Sequence, residues 1–298
     1  MKQVDFTVSL RHDPSSAVES HGWSRLQPFD YAGRTLHWTM CLPRGLATDI
    51  RVHWGQRARR LAVRVVAPKV TTADVAYVRS RVRWMFRANE RFDDFWSTCA
   101  HKKHMNKCCQ LKLGAMLRSP NVFEDIIKTL CTVNCTWRNT ITMVQLLCER
   151  FGSASPTRQN CFSFPTPRSL AEQTTTDLRN ARVGFRSRYI KKCSEIIASG
   201  ELSIDDLINN QNAADLRDNL LSLPGIGSYG ANHILMLLGH YQKIPCDSEV
   251  CAYLGLPTGT PQPKVERLVS HRYRTYGEFA FLGYRFERYL ARKYGKER

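Results

Sequence analysis

The chain has 298 residues, with 44 Lys and Arg against 26 Asp and Glu, and a formal net charge of +18. That length supports a substantial core and about two domains, and a composition 43% hydrophobic and 23% charged excludes disordered and collagen-like classes. Solubility needs far less charge than this, so the excess implies a polyanionic partner, nucleic acid before a membrane surface, because Lys and Arg release the counterions condensed on phosphates.

Residues 1 to about 70 carry alternating and β-branched runs broken by Gly and Pro, notably Arg34 to Cys41 and Arg60 to Val66. Alternation with turn signals between the runs predicts antiparallel strands. From Thr72 the period changes to that of a helix, with Val75, Val78, Val82 and Met85 on one face. The boundary falls between Lys69 and Ala73, which predicts an α+β, mainly α chain: an antiparallel β-domain over 1–72 and a helical body over 73–298. At Ser119 to Glu124, Pro120 and the Asn121/Glu124 pair read as a capped helix start, followed by an apolar face of Val122, Ile126, Ile127 and Leu130. The next helix carries Trp137, Ile141, Val144 and Leu147 on one side and stops at Gly152. Cys161 to Pro167 and the polar stretch Asn209 to Asn212 read as loops.

The most informative segment runs from Leu220 to Gly239. Leu216, Leu220 and Leu223 end one amphipathic helix, Pro224 to Gly227 make a tight turn, and Ile234, Leu235 and Leu238 continue on a second helix. Glycines on either side of Ile226 let the backbone take positive φ and approach a ligand closely, while Ile226 plugs the turn into the core. The second helix starts at that turn with free N–H groups and the positive end of its dipole, a setting suited to a DNA phosphate. An αα-hairpin with a plain glycine turn is the structural alternative. Downstream, Pro245 keeps its predecessor out of a helix and Asp247 stands where the helix from Ser248 would begin. As a cap it needs no further role; turned toward a cleft, the same carboxylate could stabilise an oxocarbenium-like sugar and orient a water. The last segment sets Arg285, Arg288, Arg292 and Lys293 beside Phe279, Phe281 and Tyr284. This is either a basic face with pocket aromatics or a solvated face with a buried one.

The eleven cysteines are odd in number, and Cys131, Cys135, Cys148 and Cys251 sit in apolar helical stretches. Reduced thiols in an intracellular compartment are therefore expected. Neither Cys108 with Cys109 nor Cys131 with Cys135 has a second pair at metal-binding spacing, so no zinc or iron–sulfur site is expected. No apolar run approaches the 18 residues of a membrane span, and no secretory pattern opens the chain.

Taken together, Leu223 to Gly227 followed by Pro245, Cys246 and Asp247 resemble the motif of the helix-hairpin-helix (HhH-GPD) DNA glycosylase superfamily in order and spacing. Phe123 to Asn134, Met143 to Gly152, Phe164 with Pro165, and Gly184 to Tyr189 resemble its 8-oxoguanine and alkylated-base (3-methyladenine) members, over residues 25 to 295 in all. The resemblance implies a two-lobed helical body with a cleft between the lobes. It implies Asp247 as the catalytic aspartate; Gly225, Ile226 and Gly227 on DNA phosphate; and Asn134 in the gap left by an extruded base. Beside these, Ser228 is a further candidate DNA contact, and Tyr229, Phe279 and Phe281 are candidates to line the base pocket. Bifunctional members carry a Schiff-base lysine where this chain has Tyr229, and a phenol forms no imine. The expected function is therefore monofunctional hydrolysis of the N-glycosidic bond of a flipped damaged base, an alkylated purine ahead of 8-oxoguanine, in base excision repair. The implied partner is double-stranded DNA bearing a damaged base, met by a monomer in a nucleus or bacterial cytoplasm. No metal site is expected, and no cofactor beyond a structural monovalent cation at the hairpin. Two alternatives stand beside this: a catalytically inactive DNA-damage-binding module on the same fold, suggested by Tyr229 and by Glu249 as an added carboxylate near Asp247, and an RNA-binding protein using the hairpin.

Overall fold

The computed structural model describes residues 1–56, 58–257 and 259–295. Five antiparallel strands form one sheet in the order β1-β5-β4-β3-β2: β1 (Lys2–Ser9), β2 (Asp30–Ala32), β3 (Thr35–Cys41), β4 (Ala47–His53) and β5 (Arg60–Ala67). The two expected strands are β3 and β5. Alternation sets their register: Leu61, Val63, Val65 and Ala67 of β5 turn inward, as do Leu36, Trp38 and Met40 of β3. Cross-strand pairs such as Trp38 with Ile50 and Val52 with Val63 then meet on the buried face.

The helix Thr72–Met85 lays Val78, Val82 and Met85 on that core. Its start is fixed by a capping box in which Thr71 accepts the Asp74 N–H and Asp74 accepts the Thr71 N–H. Arg44 grips the same Asp74 with two hydrogen bonds of 3.1 and 3.0 Å, and chiefly for that reason its carboxyl falls to about 2.

Two compact units emerge: Met1–Arg91 with Ala115–Ile204, and Phe92–Gly114 with Asp205–Arg298. The change from strand to helix near residue 72 therefore lies inside the first unit, because the sheet shares its core with the helix that follows.

Within the first unit, Val122–Thr132 departs from the expected one-sided helix. Every residue from Val122 to Cys131 is buried, including Glu124, Asp125 and Lys128. Asn121 caps the helix by accepting the Glu124 N–H, but the Glu124 carboxylate does not complete the expected box: it pairs at 2.6 Å with Lys128. Asp125 accepts from Trp23 Nε1 at 2.7 Å and from the Ser119 N–H at 3.0 Å. Glu124 and Lys128 can be enclosed because each neutralises the other, and Asp125 because Trp23 and Ser119 donate to it. Gly152 ends the next helix, Trp137–Phe151, for a reason other than a left-handed cap. Its backbone is extended, and a Cβ there would lie 2.0 Å from the Ser163 carbonyl oxygen. The expected loop from Cys161 to Pro167 contains a bridge between Phe162 and Ala154, and Pro167 opens a helix capped by Thr166.

In the second unit, Phe95, Tyr276 and Phe286 form an aromatic core with ring centroids 6.2 to 6.4 Å apart. Around it stand the helices Ala213–Ser222, Ser228–Leu238, Ser248–Tyr253, Gln262–Tyr273 and Ala280–Tyr294. All eleven cysteines are free thiols, and burial pushes Cys131 up to about 12. No helix among the described residues is long and apolar enough to cross a membrane.

Candidate active site

The hairpin forms as its sequence requires. Ala213–Ser222 is capped by Asn212, which accepts from Ala214 and Asp215 N–H groups, and the chain then turns through Gly225 at φ +82°. The Ile226 N–H closes the turn on the Leu223 carbonyl at 3.1 Å, and Ile226 is buried. Gly227 is the residue before Ser228–Leu238; among the described residues no side chain caps that helix, and a Cβ on Gly227 would meet none of their atoms within 4 Å. An uncapped helix start behind open space is the geometry a phosphate oxygen needs. Ser228 Oγ lies 3.4 Å from Arg217, which adds a cation beside that start.

One turn into the same helix, Tyr229 faces His233 with ring centroids 5.9 Å apart, the contact expected of residues four apart. His233 is held neutral: burial first, and then the charge of Arg285, bring it down to about 4. Asn232 beside it is buried, and its Oδ1 has no hydrogen-bond partner among the described residues.

Asp247 caps Ser248–Tyr253, with Oδ1 accepting the Val250 N–H at 2.9 Å. Burial raises its carboxyl above the ordinary range and Glu249 adds to the rise; the Val250 N–H and the Arg288 guanidinium oppose it. Arg288 donates to Glu249 at 3.0 Å and to the Tyr284 hydroxyl at 2.6 Å, and its guanidinium lies 5.6 Å from the Tyr253 ring centroid. Glu249 is thus paired with Arg288, yet its charge still reaches Asp247 and adds to the rise of that carboxyl. Arg285, one turn from Arg288, is lowered to about 10 by burial first and by Arg288 next.

The two expected pocket phenylalanines separate. Phe281 packs on Tyr284 at 6.2 Å, with its N–H on the Tyr241 carbonyl. Phe279 instead packs on Phe95 at 5.9 Å, in the aromatic core. Tyr284, Arg285 and Arg288 belong to the basic segment that sequence offered as a possible pocket wall, but His233 was not joined to them, because it comes from a second, distant segment. The i, i+4 pair of Arg288 and Tyr284 was the available signal.

In the first unit, Asn134 is exposed, with φ +46°, just beyond the end of Val122–Thr132. Sequence reasoning missed what holds it there. Arg186, itself buried, donates from Nε to the Leu130 carbonyl at 3.1 Å and from one Nη to the carbonyls of Val133 and Asn134. One guanidinium thus satisfies the open carbonyls of the helix end. Trp137 packs against Gly22, where a Cβ would come within 2.5 Å of its ring.

Residues 127–272 match the family described as HhH-GPD superfamily base excision DNA repair protein. A probable N-glycosylase/DNA lyase of Methanothermobacter thermautotrophicus is 26% identical over 183 residues, covering 53% of this chain and 57% of that protein. A DNA-3-methyladenine glycosylase of Bacillus subtilis is 38% identical over 74 residues, 24% of each. The chain therefore aligns with little more than half of the first relative and a quarter of the second. Among solved structures, the 3-methyladenine DNA-glycosylase of Archaeoglobus fulgidus superposes over 97% of this chain and 99% of its own, with a TM-score of 0.75 at 18% identity. The Clostridium acetobutylicum 8-oxoguanine glycosylase/lyase in complex with DNA superposes over 90% and 99%, at 0.64 and 15%. At such identities the likeness is one of fold.

Proposed function

This chain belongs to the HhH-GPD superfamily of base excision DNA repair proteins, and from that premise we propose that it is a monofunctional DNA glycosylase. It binds duplex DNA carrying a damaged base, flips the base and hydrolyses its N-glycosidic bond. The observation that carries the reading is Asp247: a carboxylate enclosed enough to be raised by burial and held in one orientation by the Val250 N–H on Oδ1, with the Glu249 N–H also acting on it. As the bond to the base breaks, positive charge grows on the sugar, and a preoriented carboxylate in a poorly hydrated site stabilises it strongly. The same group orients the attacking water.

The hairpin holds the strand through phosphate on the N–H groups from Gly227 onward. A monovalent cation there would use the turn's carbonyls: Leu223 accepts one N–H and keeps a second lone pair. Bound, it would strengthen the attraction for phosphate. Asn134 fills the gap left by the flipped base, and Arg186 keeps it in place. Because Tyr229 stands where a Schiff-base lysine would, the water route is the one its side chain permits.

The base is an alkylated purine in the first reading, since Tyr229, Tyr284 and Phe281 provide rings for an electron-poor base. One observation favours 8-oxoguanine as the second: the Arg288 guanidinium acts directly on Asp247, and a cation there repels a cationic base while donating to a neutral one. Duplexes with single defined lesions (alkylated purines, 8-oxoguanine, uracil, hydroxymethyluracil), treated with alkali after incubation, distinguish these. Retained binding without release of any base would instead identify a damage-binding module.

A further inference from the structure

The last helix, Ala280–Tyr294, presents two adjoining faces. Tyr284, Arg285 and Arg288 belong to the face around Asp247 and His233. At 100° per residue, Glu287, Leu290, Ala291 and Tyr294 lie on the flank next to that face, and they line a cavity of about 560 Å³. Its remaining walls include Tyr253, Tyr273 and Tyr276, with Lys102, Lys107 and Arg272 around them. The proposed glycosylase reaction makes no use of it.

Three properties define what fits. The first is size: the volume falls within the range that encloses a small organic ligand, about 300 to 1,000 Å³. The second is aromatic walls, since four tyrosines line the cavity. The third is charge. The lining carries one carboxylate, Glu287, against Lys102, Lys107 and Arg272. Glu287 is bound at 2.7 Å by Arg272 and at 3.1 Å by the Tyr253 hydroxyl. The ammonium groups lie over rings, Lys102 4.9 Å from the Tyr276 centroid and Lys107 4.6 Å from that of Tyr294. Lys102 is also tethered to the Thr275 hydroxyl at 2.9 Å. Cations and rings are therefore interleaved along one wall, an arrangement that takes a base on the rings and a phosphate on the ammonium groups.

We propose that this cavity binds a planar aromatic anion of nucleoside monophosphate size, either a free nucleotide or one nucleotide of a single strand. The proposal stands apart from the glycosylase reading and needs no base release to be tested. The full-length chain is titrated calorimetrically with deoxyadenosine monophosphate, deoxyadenosine, inorganic phosphate and a short oligothymidine strand. The monophosphate is expected to bind at least tenfold more tightly than nucleoside or phosphate. Ala291→Trp, which fills the cavity, and the pair Lys102→Glu with Lys107→Glu, which reverses its charge while leaving its shape, should each weaken binding at least tenfold. Strand binding with the same sensitivity to Ala291→Trp identifies a nucleotide of DNA as the occupant; binding of the monophosphate alone identifies a soluble one, and either supports the site. A monophosphate that binds no better than phosphate overturns it. So does full affinity in both variants when their circular dichroism matches that of the parent protein.

Discussion

Arg186→Ala tests the account of how Asn134 is positioned. Besides a long contact to the Val183 carbonyl at 3.5 Å, the guanidinium serves three carbonyls at the helix end, of which that of Leu130 is deepest: Leu130 is 1% exposed, whereas Val133 is half-buried and Asn134 exposed. The two outer carbonyls can take water in exchange, so their loss costs little. The inner one cannot, and losing a hydrogen bond to a charged donor at a buried acceptor costs about 2 kcal/mol. At about 1.4 kcal/mol per tenfold, opening of the turn should become about 30-fold more frequent. Native-state hydrogen exchange of the amides from Leu130 to Cys135 measures that opening, and 2-aminopurine placed beside a lesion reports base flipping by its fluorescence. Arg186→Ala should lose protection locally and flip less, whereas Arg186→Lys, which keeps the charge but not the fork, should fall between. Wild-type exchange together with wild-type flipping in Arg186→Ala would refute the clamp. Faster exchange with unchanged flipping would refute the link from the clamp to the wedge.

Lys128→Met leaves Glu124 buried beside Asp125 without its ion pair, and should cost about 3 to 5 kcal/mol in urea unfolding at neutral pH. Burial already raises Glu124, and removing Lys128 raises it further. The penalty should therefore shrink as the pH falls and Glu124 takes a proton, and Lys128→Met with Glu124→Leu should recover most of the loss; a penalty independent of pH would contradict this. Base release requires ionised Asp247, so the single-turnover rate should fall on the acid side at a pH above the ordinary carboxylate range. Arg288 lowers Asp247, so Arg288→Met should move that limb to higher pH, and a limb that stays or moves down contradicts the arrangement. Borohydride should trap no protein–DNA adduct with the parent chain, because Tyr229 offers no amine; a robust adduct would mean that another amine, such as Lys243, reaches the sugar.

The parts of the fold that sequence made legible were those with a local signal. Strand alternation in β3 and β5, the Asn121 cap and the hairpin glycines each depend on residues a few positions apart. The enclosure of Glu124, Asp125 and Lys128 was hidden because it depends on Trp23 and Ser119, which chain order does not bring near. In the site, Asp247 and the turn at Gly225 could be read from their motif. The pairing of Glu249 with Arg288 and the placement of Phe279 on Phe95 could not, because each joins residues from separate segments. Phe279 and Phe281 look equivalent in a sequence, yet a two-residue step on a helical path turns them about 200° apart.

The most direct test of the central claim is single-turnover release of free base from a lesion-bearing duplex, comparing the parent chain with Asp247→Asn at matched duplex binding. The account predicts release by the parent chain and a loss of about 100-fold or more in the variant, the scale of a lost electrostatic stabiliser. Release by Asp247→Asn at the parent rate would contradict it.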